Sequence, residues 1–199
     1  MKKNSLLQKA KKLQENGVNI LDIEKLEIRG NLECGKDVFI ETNVIIEGDV
    51  FLGDYVTIRS NTIIIDSSIG HHTEVKSNSL IRNSIISENC IIGPYSRLRS
   101  GTKIANNSQI GTFVEIKKST IGSGCKINHM AFIGDAILGD DVIIGAGTIT
   151  CNHDGNDTQQ TIIHSGSYIG SNVNLIAPIV IEENAIIGAG STITENAPK

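Results

Sequence analysis

Arg99 and Lys117 stand eighteen residues apart, and His129 follows twelve residues later in the stretch KINHMAFIGDA, residues 126–136. An arginine and a lysine brought side by side hold an anion, most simply a phosphate, between a forked guanidinium and a compact ammonium. A histidine titrates near neutrality, so it can serve as a base placed over a substrate. Each residue also has a plainer reading. The two cations can splay into solvent or pair with acids such as Glu115, and a single histidine is more often solvated or structural than catalytic. What separates the readings is whether the fold brings these side chains into one place.

The spacing itself comes from a repeat. From Ile28 an aliphatic or small residue recurs every sixth position, through Cys34, Ile40, Ile46, Leu52, Ile58 and Ile64, and the series runs on to Ile193 as 28 hexads. Four residues after each comes a second small or branched residue, as at Val38, Val44, Val50, Val56 and Thr62. Period six fits neither a helix nor a long alternating strand. It fits an all-β parallel β-helix of about nine triangular coils, three hexads to a coil. The composition agrees, with 35 isoleucines, no tryptophan and 4% aromatics, a supply of branched aliphatics for a narrow β interior. Irregularities follow the same geometry. Four steps are five residues long, after Ile64, Ile81, Ile116 and Ile133, and the one long interruption follows Thr150. These are hexads 7, 10, 16, 19 and 22, each leaving remainder one on division by three, so all fall on one corner of the prism.

Residues 17 or 18 apart then stack on adjacent coils at roughly 4.8 Å. Arg99 and Lys117 each follow the apolar residue of their hexad and become direct neighbours. His129 begins a second outward column, continued by Ala146, Ser171 and Ala189. Three small residues above a histidine leave a groove along the helix axis in which an extended chain could lie. The expected organisation is an N-terminal helix and linker at 1–25, then the β-helix at 26–199 with a loop protruding at 151–162. In the first segment Ser5 is the expected helix N-cap, Leu6, Ala10 and Leu13 share a face, and Gly17 ends the last turn.

Formal charge is −4, from 18 basic and 22 acidic residues, which argues against nucleic acid or a membrane surface as partner while permitting a local basic pocket. The start MKKNSLLQKAKKLQ lacks the apolar run of a signal peptide. Cys34, Cys90, Cys125 and Cys151 include no C-x-x-C pair and read as reduced thiols of a cytoplasmic protein.

The segments IGPYSRLRSG, GTFVEIKKSTIGSGCKINHMAFIGDA, IGAGTITCNHDG and GSNVNLIAPI resemble the acetyltransferase half of the bifunctional N-acetylglucosamine-1-phosphate uridyltransferase/glucosamine-1-phosphate acetyltransferases. The resemblance implies left-handed coils, a homotrimer with sites between subunits, and acetyl-CoA as co-substrate with no metal required. The acceptor would be an amino-sugar phosphate, by default glucosamine 1-phosphate. By this resemblance Arg99 and Lys117 bind the sugar phosphate, His129 is the general base, and Asn152 lies near the reacting centre. Ala146, Ser171 and Ala189 line the CoA groove. Phe132, Ile143 and Thr158 stand where the family has a tyrosine, an asparagine and a lysine on the sugar phosphate, and His153 replaces a further tyrosine. The competing reading is a non-catalytic or altered-specificity relative that keeps the trimeric scaffold. A zinc hydratase on the same fold would need several converging histidines, and His71, His72, His153 and His164 are scattered along the chain.

Overall fold

The computed structural model describes residues 2–198. Every strand pairing in it is parallel and joins residues 17 or 18 apart, except where a pairing crosses the 151–160 stretch or joins Asn19–Ile20 to Phe39–Ile40. One face is a ten-stranded sheet that takes one short strand from each coil, from Asn19–Ile20 to Ile186–Ile187, in chain order. The other two faces form one seventeen-stranded sheet, because the long strands Leu26–Cys34 and Val44–Leu52 run through the corner between them. Asn19–Ile20 adds one face ahead of Ile28, and the stack has about ten turns, in line with the expected coil. The arrangement fits a left-handed β-helix.

The hexad positions are the core. Ile40, Ile46, Leu52, Ile58, Ile64 and their successors through Ile133 lie within 2% of full burial, one aliphatic above the next. The companion positions carry small residues, and most of the hydroxyls among them find a carbonyl, Thr161 being an exception whose buried Oγ1 has no partner. Thr73 donates to the Ser87 carbonyl at 2.9 Å, Ser108 to that of Gly122 at 2.9 Å, and Thr148 to that of Gly170 at 3.0 Å. Burying these polar groups would otherwise be costly.

Corners are built by left-handed residues. In most six-residue steps the third residue after the buried aliphatic has positive φ, as at Asn61 (60°), Asn107 (62°) and Asn172 (54°). In the five-residue steps it is the second: Asp66, Asn83, Lys118 and Asp135, at 44–50°. Asparagine tolerates this conformation better than most residues because its short polar side chain bonds locally. Glycine serves a different need at Gly145 and Gly170, where an added Cβ would sit 2.5 Å from the backbone of the coil above.

The N-terminal helix spans Lys2–Glu15. It starts ahead of Ser5, which lies inside it and is not its cap; the side chains of Ser5 and Leu6 are outside the described residues. Ala10 is fully buried and Leu13 packs on the core. Gly17, at φ 96°, ends the helix in the left-handed conformation, with its N–H on the Gln14 carbonyl. The helix covers the open lower end of the stack beside Leu26–Cys34, where Lys9 reaches the Gly30 carbonyl at 2.7 Å.

Candidate functional site

The register sets Leu98 opposite Ile116, and the Arg99 N–H bonds the Ile116 carbonyl at 2.8 Å, so Arg99 lies directly under Lys117. Glu115, one residue before Ile116, accepts from Arg99 Nη1 at 2.8 Å and from Arg97 Nη1 at 3.2 Å. Both readings of the cation pair are therefore present in part. Arg99 is ion-paired, while Lys117 forms no ion pair among the described residues. Arg82 follows Ile81, the register partner of Leu98, and adds a third cation one coil lower. With Arg97 and Lys118 these side chains line a cleft of about 260 Å³. Sequence reasoning missed Arg82, although the signal was available: it follows its hexad aliphatic as Arg99 and Lys117 follow theirs.

Above Lys117 the column passes to Gly134 and then Cys151. Having no side chain, Gly134 leaves room for two neighbours. A Cβ there would stand 2.8 Å from Cε1 and Cζ of Phe132 and 2.9 Å from Nδ2 of Asn152. Asn152 is buried and donates to Asp135 Oδ2 at 2.6 Å, and the Asp135 N–H bonds the Lys117 carbonyl at 3.0 Å. Arg99, Lys117, Phe132 and Asn152 thus gather on one edge of the prism.

His129 is on the adjacent edge. It closes the strand Lys126–His129 opposite Thr112, and it is exposed. Ala146, Ser171 and Ala189 continue its column, and each coil is tied to the one below by the N–H of the following residue. Gly147 bonds the His129 carbonyl at 3.2 Å, Asn172 that of Ala146 at 2.7 Å, and Gly190 that of Ser171 at 2.8 Å. The glycines preceding these small residues, Gly145, Gly170 and Gly188, continue the run of residues without bulk above the imidazole.

The two groups do not touch within one chain. His129 ends the strand Lys126–His129 on one face, whereas Gly134, the register partner of Lys117, ends the next strand, Phe132–Gly134, on the following face. At the His129 edge the corner residues are bulky and left-handed: Tyr95 (φ 58°), Phe113 (57°) and Met130 (45°), exposed by 50%, 61% and 62%. The Tyr95 and Phe113 rings meet at 5.3 Å. Such conformations cost on the order of 1–3 kcal/mol each, so they need a compensating contact.

Ile143 lies on the ten-stranded face between Lys126 and Tyr168, away from the Phe132 edge. Thr158 is in the 151–160 stretch, bridged to His153. That loop is organised by Asp154, whose carboxyl is held below its ordinary value by the N–H groups of Asp157 and Asn156 and by Gln159. The four cysteines are free thiols. Burial pushes Cys34 up to about 12 and Cys125 to about 11. Among the described residues no three of His, Cys, Asp and Glu gather as a metal site, and no helix is long and apolar enough to cross a membrane.

Known proteins share both architecture and sequence. Residues 160–195 match the bacterial transferase hexapeptide family and residues 28–103 match the GMPPB C-terminal domain. A solved Arabidopsis UDP-N-acetylglucosamine acyltransferase shares the fold, with TM-score 0.57 and 17% identity over 92% of this chain and 68% of that one. Coil and repeat together make the chain a hexapeptide-repeat protein. Within that class it belongs with the acetyltransferase domain of the bifunctional protein GlmU. It is 46% identical to GlmU of Marinobacter nauticus over 96% of this chain and 42% of that protein. For GlmU of Nitrosospira multiformis the figures are 47%, 95% and 41%. The chain spans about two fifths of the length of these relatives.

Proposed function

We propose that the chain is an acetyl-CoA-dependent N-acetyltransferase acting on an amino-sugar phosphate, glucosamine 1-phosphate first among them, on the route to UDP-N-acetylglucosamine. The observation that carries this reading is the column in which His129 is followed by Ala146, Ser171 and Ala189. It offers a proton acceptor at the foot of a channel that fits a pantetheine chain. When bound, acetyl-CoA supplies the acetyl group as a thioester. Lys117 and the free donors of Arg99 hold the acceptor phosphate, charge-assisted hydrogen bonds that fix the sugar against the face. His129 takes the proton of the amine as it attacks the thioester carbonyl, backbone N–H groups along the column steady the charge on the thioester oxygen, and the adduct collapses by breaking the C–S bond, the leaving CoA sulfur taking that proton back from His129.

The clamp and the base occupy neighbouring edges, which supports a homotrimer in which one subunit's base edge completes another's clamp. The strained apolar corner of Tyr95, Phe113 and Met130 is the surface such packing would cover. Four free thiols suit a reducing cytoplasm.

The test is thiol release from acetyl-CoA with glucosamine 1-phosphate and other amino-sugar phosphates. Turnover with at least one acceptor is expected. Absence of turnover with all of them, together with no calorimetric binding of CoA, would replace this reading with a non-catalytic scaffold.

A further inference from the structure

The cation column runs one coil lower than a single phosphate needs. Arg82, Arg99 and Lys117 each follow the buried aliphatic of their hexad, and the pairings Ile81–Leu98 and Leu98–Ile116 set them in one file. At one strand spacing per coil, Arg82 and Lys117 are rooted about 9.6 Å apart. All three line the same cleft with Arg97 and Lys118. Glu115 is the one carboxylate paired into this group among the described residues, so five cations less one anion leave +4 in a chain whose net charge is −4. Like charges stacked on adjacent strands oppose each other unless something neutralises them. One phosphate between Lys117 and Arg99 satisfies the upper pair and leaves Arg82 without a counterion.

Resting on the amino-sugar phosphate reading, we infer that the acceptor site continues down to Arg82 and holds a second phosphate there. Its acceptors would then include amino sugars carried on a diphosphate. Arg82 is a specificity-determining residue in this scheme. Its guanidinium donates to the outer phosphate, while Lys117 and Arg99 keep the inner one beside the sugar. Leu80, Leu98 and Ser100 form the rest of the wall and carry no charge that would repel it.

The probes are inorganic phosphate and inorganic pyrophosphate, titrated calorimetrically at low salt into the full chain and into Arg82→Gln, Arg82→Lys, Lys117→Gln and Lys103→Gln. Arg82 is exposed, so its replacement leaves the core intact. Pyrophosphate is expected to bind roughly tenfold more tightly than phosphate, the size of one added charge-assisted contact. Arg82→Gln removes that margin and leaves phosphate affinity unchanged, whereas Arg82→Lys keeps most of it. Lys117→Gln weakens both ions. Lys103→Gln deletes a positive charge outside the cleft and changes the margin little. Equal affinities in the unmodified chain overturn the second-phosphate site and spare the single-phosphate clamp. So does a margin that survives Arg82→Gln, or one lost equally with Lys103→Gln. Failure of Lys117→Gln to weaken either ion, or absence of binding by both ions, overturns the clamp itself.

Discussion

At the scale of single residues, the proposed chemistry divides between an imidazole and a set of anion contacts. His129→Ala should lower acetyl transfer by about 10²- to 10⁴-fold, the usual range for a lost general base, with CoA affinity measured by calorimetry unchanged. Phe132 presses its ring over Gly134 next to the Asn152 amide, so a hydroxyl at its tip would reach the acceptor. Phe132→Tyr is therefore expected to lower KM for glucosamine 1-phosphate by roughly tenfold, one hydrogen bond to a charged group. A KM that rises instead would show that the ring excludes this acceptor. A third residue-level prediction concerns pH. Cys125 is buried and gives its Sγ–H to the Gly139 carbonyl at 3.1 Å, and its folded pKa is raised from 9.0 to about 11. Because the folded value lies above the unfolded one, the stability tied to this proton is complete below pH 9 and is lost as pH rises towards 11. Cys125→Ser keeps a donor and should flatten that alkaline fall in denaturant midpoint. The residue types of the site were legible in the sequence, since stacking at 18 residues joins Arg99 to Lys117 and stacking at 17, across a short step, joins His129 to Ala146. Arg82 and the Glu115 contact were less so. Which stacked side chains compensate one another depends on rotamers that spacing does not determine.

At the scale of the coil, the controlling positions are the ones without bulk. Gly170 has no room for a methyl group, which would meet the Ala189 N at 2.5 Å. Gly170→Ala should cost about 1–3 kcal/mol by overpacking, read from chemical denaturation. It should also damage CoA binding, because the displaced backbone is the floor of the channel. A β-branched residue at a left-handed corner is the matching control. Asn107→Val should cost about 1–2 kcal/mol and leave CoA binding untouched, since that corner is remote from the channel. The hexads announced the coil and even the corner that bears short steps. They did not announce the turn made by Asn19–Ile20, because two strand residues joined to a helix and a short 3-10 segment contain no repeat to detect. Nor did the pattern distinguish the helix start at Lys2 from one at Ser5, since several polar residues there could serve as caps.

At the scale of the molecule, one chain carries His129 and the cation cluster on neighbouring edges, and an apolar corner held in costly backbone conformations. Light scattering should give a mass three times 21.4 kDa. Phe113→Asp, which places a charge in the middle of that corner, should yield monomers that stay folded by circular dichroism while losing turnover. Retention of the larger mass would mean that the subunits meet elsewhere.

The short steps have one more consequence. Since each coil rests only on its neighbours, the chain behaves like text read in a fixed frame. Excising a full lap of 17 or 18 residues from the lower coils should lower everything above by one storey and keep its phase. Losing a single residue in the same place would instead rotate every later side chain out of its column, and His129 and the cations would no longer look out from their two neighbouring edges.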